Sequence, residues 1–186
     1  FYGLFEPEAT LRHRAKRMGA PVDDYEKQGL VSFVWRDPSE AMLDREAHDL
    51  LALVRAKKIR RIVLDGFPGF RTSDEAQRLA PAFAAISNVF ARTGVTSFVT
   101  DETRELFVRD IHVPTSNVSA LFHNIVFMRQ VERNATLVPL IGVLKTRDSK
   151  HDKRLWEVEQ ADVGMQNVKP FAPDEQGLMR GGGGGA

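Results

Sequence analysis

The residues with the clearest capacity for chemistry stand in the stretch RRIVLDGFPGF, residues 60–70. An apolar run leads up to a single acid, Asp65, and the chain then breaks into Gly66, Phe67, Pro68 and Gly69. A carboxylate at the end of an apolar strand is costly to bury unless something compensates it. Nucleotide hydrolases place an acid here to hold magnesium through a water shell, and the metal's charge is then the compensation. A plainer reading stands beside it, because turns after strands favour Asp for local reasons. The phosphate-binding loop that accompanies such an acid, GxxxxGK[ST], is not among these residues, which contain no Gly-Lys dipeptide.

A second cluster is basic. In VLKTRDSKHDK, residues 143–153, Lys145 and Arg147 stand two apart on an expected strand and so share a face. His151 and Lys153 follow in the expected turn. Read plainly, this is the solvated end of a hairpin. Of the other histidines, His13 and His48 fall on expected helices beside charged neighbours and read as exposed, whereas His123 adjoins an apolar strand and reads as core. No His and acids have zinc spacing. Trp35 and Trp156 read as packing residues at strand ends.

Strands alternating with helices must position these groups. FYGLF (1–5), LVSFVW (30–35), RRIVLD (60–65) and VTSFVT (95–100) read as strands. Between them, EATLRHRAKRM, the apolar spacing from Ala41 to Lys58, and a long segment capped by Thr72 or Ser73 through about Arg92 read as helices. That order predicts βαβ units and a mainly parallel sheet with helices on both faces. The strand at 60–65 is expected to be buried on both of its faces. Ligands of such sheets bind outside the carboxyl ends of the strands, where Glu6, Asp37, Asp65 and Thr100 all fall. After Asp101 the rhythm changes to antiparallel hairpins, one around VERNAT and one around Val163-Gly164.

With 186 residues, the chain has room for one ordinary core. Lys plus Arg is 26 against 25 for Asp plus Glu, so neither nucleic acid nor an anionic membrane is an expected partner. Cysteine is absent, which excludes disulfides and thiolate chemistry. A cytoplasmic protein is expected. The chain starts without Met inside an apparent strand, so an upstream part is expected, and GGGGGA at 181–186 reads as the end of a flexible tail covering 174–186.

The collinear set FYGLFEPEATLRHRAKRMGAPVDDYEKQGLVSF, RRIVLDGFPGF, ARTGVTSFVTDE, VSALFHNIVFMRQVE and LKTRDSKHDKRLWEVEQADVGMQNVKPF resembles the KaiC-like branch of the RecA-type ATPases. The resemblance spans Phe1 to Phe171. It implies a three-layer RecA-like core over 1–173, binding ATP with Mg²⁺ and assembling into a ring, usually a hexamer, with signalling or clock-type protein partners. By position, Asp65 matches the Walker B acid and Glu6 the second of a pair of catalytic glutamates. Lys145 and Arg147 match residues that reach the γ-phosphate of the neighbouring subunit. Thr100 matches a sensor-like Thr, and His151 and Lys153 match positions near the ribose and base.

Three positions depart from the pattern. The first glutamate of the pair is Phe5, the glycine after the basic pair is Asp148, and the Ser or Thr after the Walker B acid is Gly66. With the phosphate loop also absent, this polypeptide is expected not to turn over ATP. A non-catalytic interaction scaffold of the same fold is the alternative expectation.

Overall fold

Short parallel strands and two amphipathic helices build the first part of the protein. The structure, a computed structural model, describes residues 1–37, 39, 42–66, 76–102 and 119–172. Four strands pair in parallel: β1 (Tyr2–Gly3), β2 (Val34–Trp35), β3 (Arg61–Asp65) and β4 (Thr96–Val99), in the spatial order β2-β1-β3-β4. In register, Gly3 faces Asp65 and Leu64 faces Val99. All four carboxyl ends therefore lie along one edge.

The helices are α1 (Glu8–Arg17), α2 (Val22–Lys27), α3 (Leu43–Ala56) and α4 (Ala76–Thr93). Leu43, Leu50 and Val54 on α3, and Leu79, Phe83, Ile86 and Phe90 on α4, recur at helical spacing and are all buried. With Tyr2, Leu4, Ile62 and Leu64 they form the core of this part, each worth about 1.5–3 kcal/mol when fully buried. The crossover β1→β2 runs in the opposite direction to β2→β3 and β3→β4. Right-handed crossovers then send α1 and α2 to one face and α3 and α4 to the other.

The two faces are not equally covered. Ile62 and Leu64 are buried, but Val63 is only half-buried and its ladder partner Phe98 is 63% exposed. The expectation that β3 is buried on both faces is corrected here. The reason is α1, which buries none of its residues and so does not cover its side of the sheet as α3 and α4 cover theirs.

From Phe122 onward the described chain forms a second compact unit. It is an antiparallel sheet of β5 (Asn124–Arg133), β6 (Thr136–Thr146), β7 (Trp156–Ala161) and β8 (Gly164–Pro170), in that order. Both expected hairpins are present. Asn134 and Ala135 link β5 to β6 with φ of 52° and 57°, the left-handed pair that a two-residue turn needs to match strand twist. The core holds Val131, Val138 and Leu140, with Leu155 and Phe171 packed against it. Val143 pairs with Val126 and Lys145 with Ile125, leaving Leu144 as a bulge near the end of β6.

The mixed α/β architecture expected from the sequence is thus present, parallel first and antiparallel after. The six-residue α2 was not expected. The capping residues Thr72 and Ser73 and the Gly-rich tail lie outside the described residues.

Candidate functional site

Asp65 ends β3 half-buried, and its partner is a hydroxyl. Thr100, just past β4, donates from Oγ1 to Asp65 Oδ1 at 2.5 Å, and the Gly66 amide donates to the same Thr100 oxygen at 3.3 Å. The backbone aligns the pair: the Leu4 amide donates to the Asp65 carbonyl at 3.1 Å, and the Thr100 amide to the Leu64 carbonyl at 3.0 Å. The adjacent strands β3 and β4 therefore present a carboxylate and a hydroxyl together, at the edge where open parallel sheets bind ligands.

Gly66 makes the turn possible. Its φ is +87°, and a Cβ there would sit 2.6 Å from Cδ2 of the Phe5 ring. Phe5, half exposed, thus lies directly over the turn that follows Asp65. Glu6 follows it on the same edge, where its carboxylate is engaged by the Arg14 guanidinium of α1. Asp37, past β2, accepts from Ser39, its amide at 2.9 Å and its hydroxyl at 2.6 Å, which holds the Asp37 carboxyl below its usual range.

Lys145, Arg147, His151 and Lys153 all belong to the second unit. Lys145 is half-buried in β6. That strand ends at Thr146, so Arg147 lies one residue beyond it, exposed, with its amide donating to the His123 carbonyl at 2.8 Å. Strand alternation therefore does not govern both basic residues. Asp148 takes the left-handed conformation at φ 63°, where the family pattern has glycine. Thr146 Oγ1 donates to the Ser149 carbonyl at 2.8 Å and stands 2.8 Å from His151 Nδ1. Lys153 is exposed. Beside it, the forked Arg154 pairs with Asp152 and holds that carboxyl down to about 2, while its guanidinium lies 4.9 Å from the Trp156 ring centre.

Sequence reading missed one network. Glu46 is 2% exposed, accepts from the Tyr2 hydroxyl, and lies 3.4 Å from Arg36 Nε. The available signal was an acid in the middle of the apolar stripe Leu43, Ala47, Leu50, Val54. A cavity of about 30 Å³ beside Tyr2 and Glu46 has room for about one or two waters, far too little for a nucleotide. Burial first, and then the bond to Glu46, push the Tyr2 pKa far above the ordinary value. Folded protein therefore keeps this proton where the unfolded chain has lost it. The stabilisation is complete below about pH 10 and declines as pH rises from there towards the folded pKa. Tyr2→Phe should cost about 1–3 kcal/mol near neutral pH, since it removes the donor to a buried carboxylate. Urea unfolding should show that penalty shrinking above about pH 10. A constant difference across that range would refute the linkage.

His13 and His48 are exposed, as expected. His123 is exposed too, which corrects the core reading: it stands just before β5 rather than in it. Among the described residues no three His, Cys, Asp or Glu converge as a metal cluster.

The model of the KaiC ATPase family matches residues 3–170. The chain belongs to the KaiC ATPase family. Among curated KaiC relatives, the circadian clock oscillator protein KaiC of Parathermosynechococcus lividus is 22% identical over 161 residues, covering 87% of this chain and 30% of that protein. The KaiC of Prochlorococcus marinus is 22% identical over 171 residues, covering 92% and 34%. The chain spans about a third of the length of the curated relatives it matches. A solved KaiC-like protein from Pyrococcus horikoshii is similar with a TM-score of 0.72 at 20% identity, covering 91% of this chain and 74% of that one. That likeness shows the fold, a KaiC-like RecA-type core.

Proposed function

We propose that this chain is the nucleotide-handling part of a KaiC-type ring ATPase, with its two compact units forming one domain. The observation that carries the reading is the Asp65–Thr100 pair at the carboxyl edge of the parallel sheet. The donor set fits magnesium, which is ordinarily held by one or two carboxylates, waters and substrate phosphates rather than by an all-protein cage. Bound with ATP, the metal would neutralise charge on the β- and γ-phosphate oxygens. Asp65 would hold its water shell as the Walker B acid, and Thr100 would orient Asp65. Glu6 would polarise the attacking water once released from Arg14, a general-base role. Lys145 and Arg147 would stabilise developing charge on the γ-phosphate of a neighbouring subunit, and His151 and Lys153 would contact the nucleoside end. A homo-oligomeric ring that brings these two sets together across subunits, clock-type protein partners and a cytoplasmic setting complete the proposal.

A non-catalytic scaffold is the second reading. It is favoured by the ion pair that occupies Glu6 and by the ring of Phe5, which lies over Gly66 and stands where the family pattern has the first glutamate of the pair. Titration of this chain with ATP and magnesium separates the readings. Weak saturable binding that Asp65→Ala removes, without turnover, is expected, because no phosphate loop cradles the β- and γ-phosphates. Complete absence of binding favours the scaffold. Saturable hydrolysis that Asp65→Ala abolishes would overturn the expected inactivity of this polypeptide.

A further inference from the structure

The contact between Thr146 and His151 determines where the imidazole proton sits. A hydroxyl carries one proton. That of Thr146 goes to the Ser149 carbonyl, which can only accept, at 2.8 Å. The 2.8 Å contact between the same oxygen and His151 Nδ1 must then be made by a proton on the ring nitrogen. Neutral His151 is thereby held as the Nδ1–H tautomer, the less common form of free imidazole in water, and its Nε2 becomes a lone-pair acceptor.

The anchor is a local one. The left-handed turn at Asp148 brings the Ser149 carbonyl back over the end of β6, and the Arg147 amide ties the same turn to the His123 carbonyl at 2.8 Å. Asp152, the acid next to His151 in sequence, is committed to Arg154 through both of its oxygens, which leaves Thr146 as the group that selects the tautomer.

We propose that Thr146 is a positioning residue that locks His151 with Nδ1 protonated, so that Nε2 accepts from a hydroxyl or amine donor of a bound nucleoside. This rests on the reading that the loop binds nucleotide. A neutral acceptor suits those donors and does not suit phosphate oxygens, which have no proton to give. His151 would therefore read the sugar or base end of the ligand, and the lysines and arginines of the same loop would be left for the phosphates.

The test is nitrogen NMR of the ¹⁵N-histidine-labelled chain without ligand, above the pH at which the imidazole titrates, with the His151 ring signals assigned by their loss in His151→Gln. The Nδ1–H pattern is expected in the unaltered chain and in Thr146→Ser, which keeps the hydroxyl. In Thr146→Val, nearly the same shape without it, the tautomer ratio should move at least about fivefold towards Nε2–H, the factor supplied by one hydrogen bond of ordinary net strength. An Nε2–H pattern in the unaltered chain, or no difference between the Val and Ser variants, would overturn the lock. Adding adenosine then addresses the donor: a shift of the Nε2 signal in the unaltered chain supports it, and adenosine bound without any change at Nε2 overturns it. If the ligand-free spectra are as expected but neither adenosine nor ADP binds, the nucleotide reading fails while the tautomer lock stands.

Discussion

In a ring of the proposed kind, assembled from longer chains that also carry the phosphate-binding loop, Arg147→Ala is expected to lower ATP turnover about a thousandfold or more, the usual effect of losing a residue that stabilises the transferring phosphoryl group. Asp65→Ala should be comparably damaging, but from the other half of the site. The two variants give a test that neither gives alone. If the basic pair works across a subunit boundary, coassembled Arg147→Ala and Asp65→Ala chains regain partial activity, because some boundaries then carry both intact halves. Mixed rings that demonstrably form and remain inactive would show that Arg147 does not act in trans. Arg147 lies past the end of β6 and is exposed, a placement suited to contact with another molecule, while the left-handed Asp148 beside it adds a negative charge to the same bend.

The second large effect is on folding. Leu140→Ala should destabilise the antiparallel unit by about 2–5 kcal/mol. Leu140 is 0% exposed and, among the described residues, clusters with the buried Val131 and Val138, so few side chains are available to relax into the space it leaves. Urea unfolding followed through Trp156 fluorescence would report the loss. A cost below about 1 kcal/mol would mean that Leu155 and Phe171 collapse into the cavity far more readily than close packing allows.

Much of the architecture was legible because the local signals agreed with one another. The apolar run ending at Asp65 and the spacing of Leu43, Leu50 and Val54 point the same way as the hairpin at Asn134, and all three elements are present. What escaped did so for physical reasons. Helix α2 has six residues, too few for a periodicity to emerge from VDDYEK. Glu46 hid because a count of apolar positions passes over an acid, and its burial is explained by partners on other elements, the Tyr2 hydroxyl and the Arg36 guanidinium. Burial of β3 on both faces was inferred from its composition, yet cover depends on a different element, α1, whose residues stay exposed or half-buried. At the site, Asp65 could be singled out from its position at a strand end, but its partnership with Thr100 depends on the adjacency of β3 and β4, which no single segment encodes. The same holds for the basic loop. Lys145 and Arg147 were visible as a pair, whereas the bulge at Leu144 and the end of the strand at Thr146 were not.

The close approach of Phe5 to Gly66 constrains which residues can stand together at positions 5 and 66. A glycine at 66 is compatible with either a phenylalanine or a glutamate at position 5, since it offers nothing for either side chain to strike. A Ser or Thr at 66 is not compatible with the ring where it lies, because its Cβ would meet Phe5 at 2.6 Å and its backbone would be held at a φ of +87°. The two departures from the family pattern are thus coupled rather than independent: the missing side chain at 66 leaves room for the aromatic at 5. With both in place, a hydroxyl-bearing residue at 66 requires that the ring give way. Relatives that keep Ser or Thr after the Walker B acid should accordingly lack an aromatic residue at the position of Phe5.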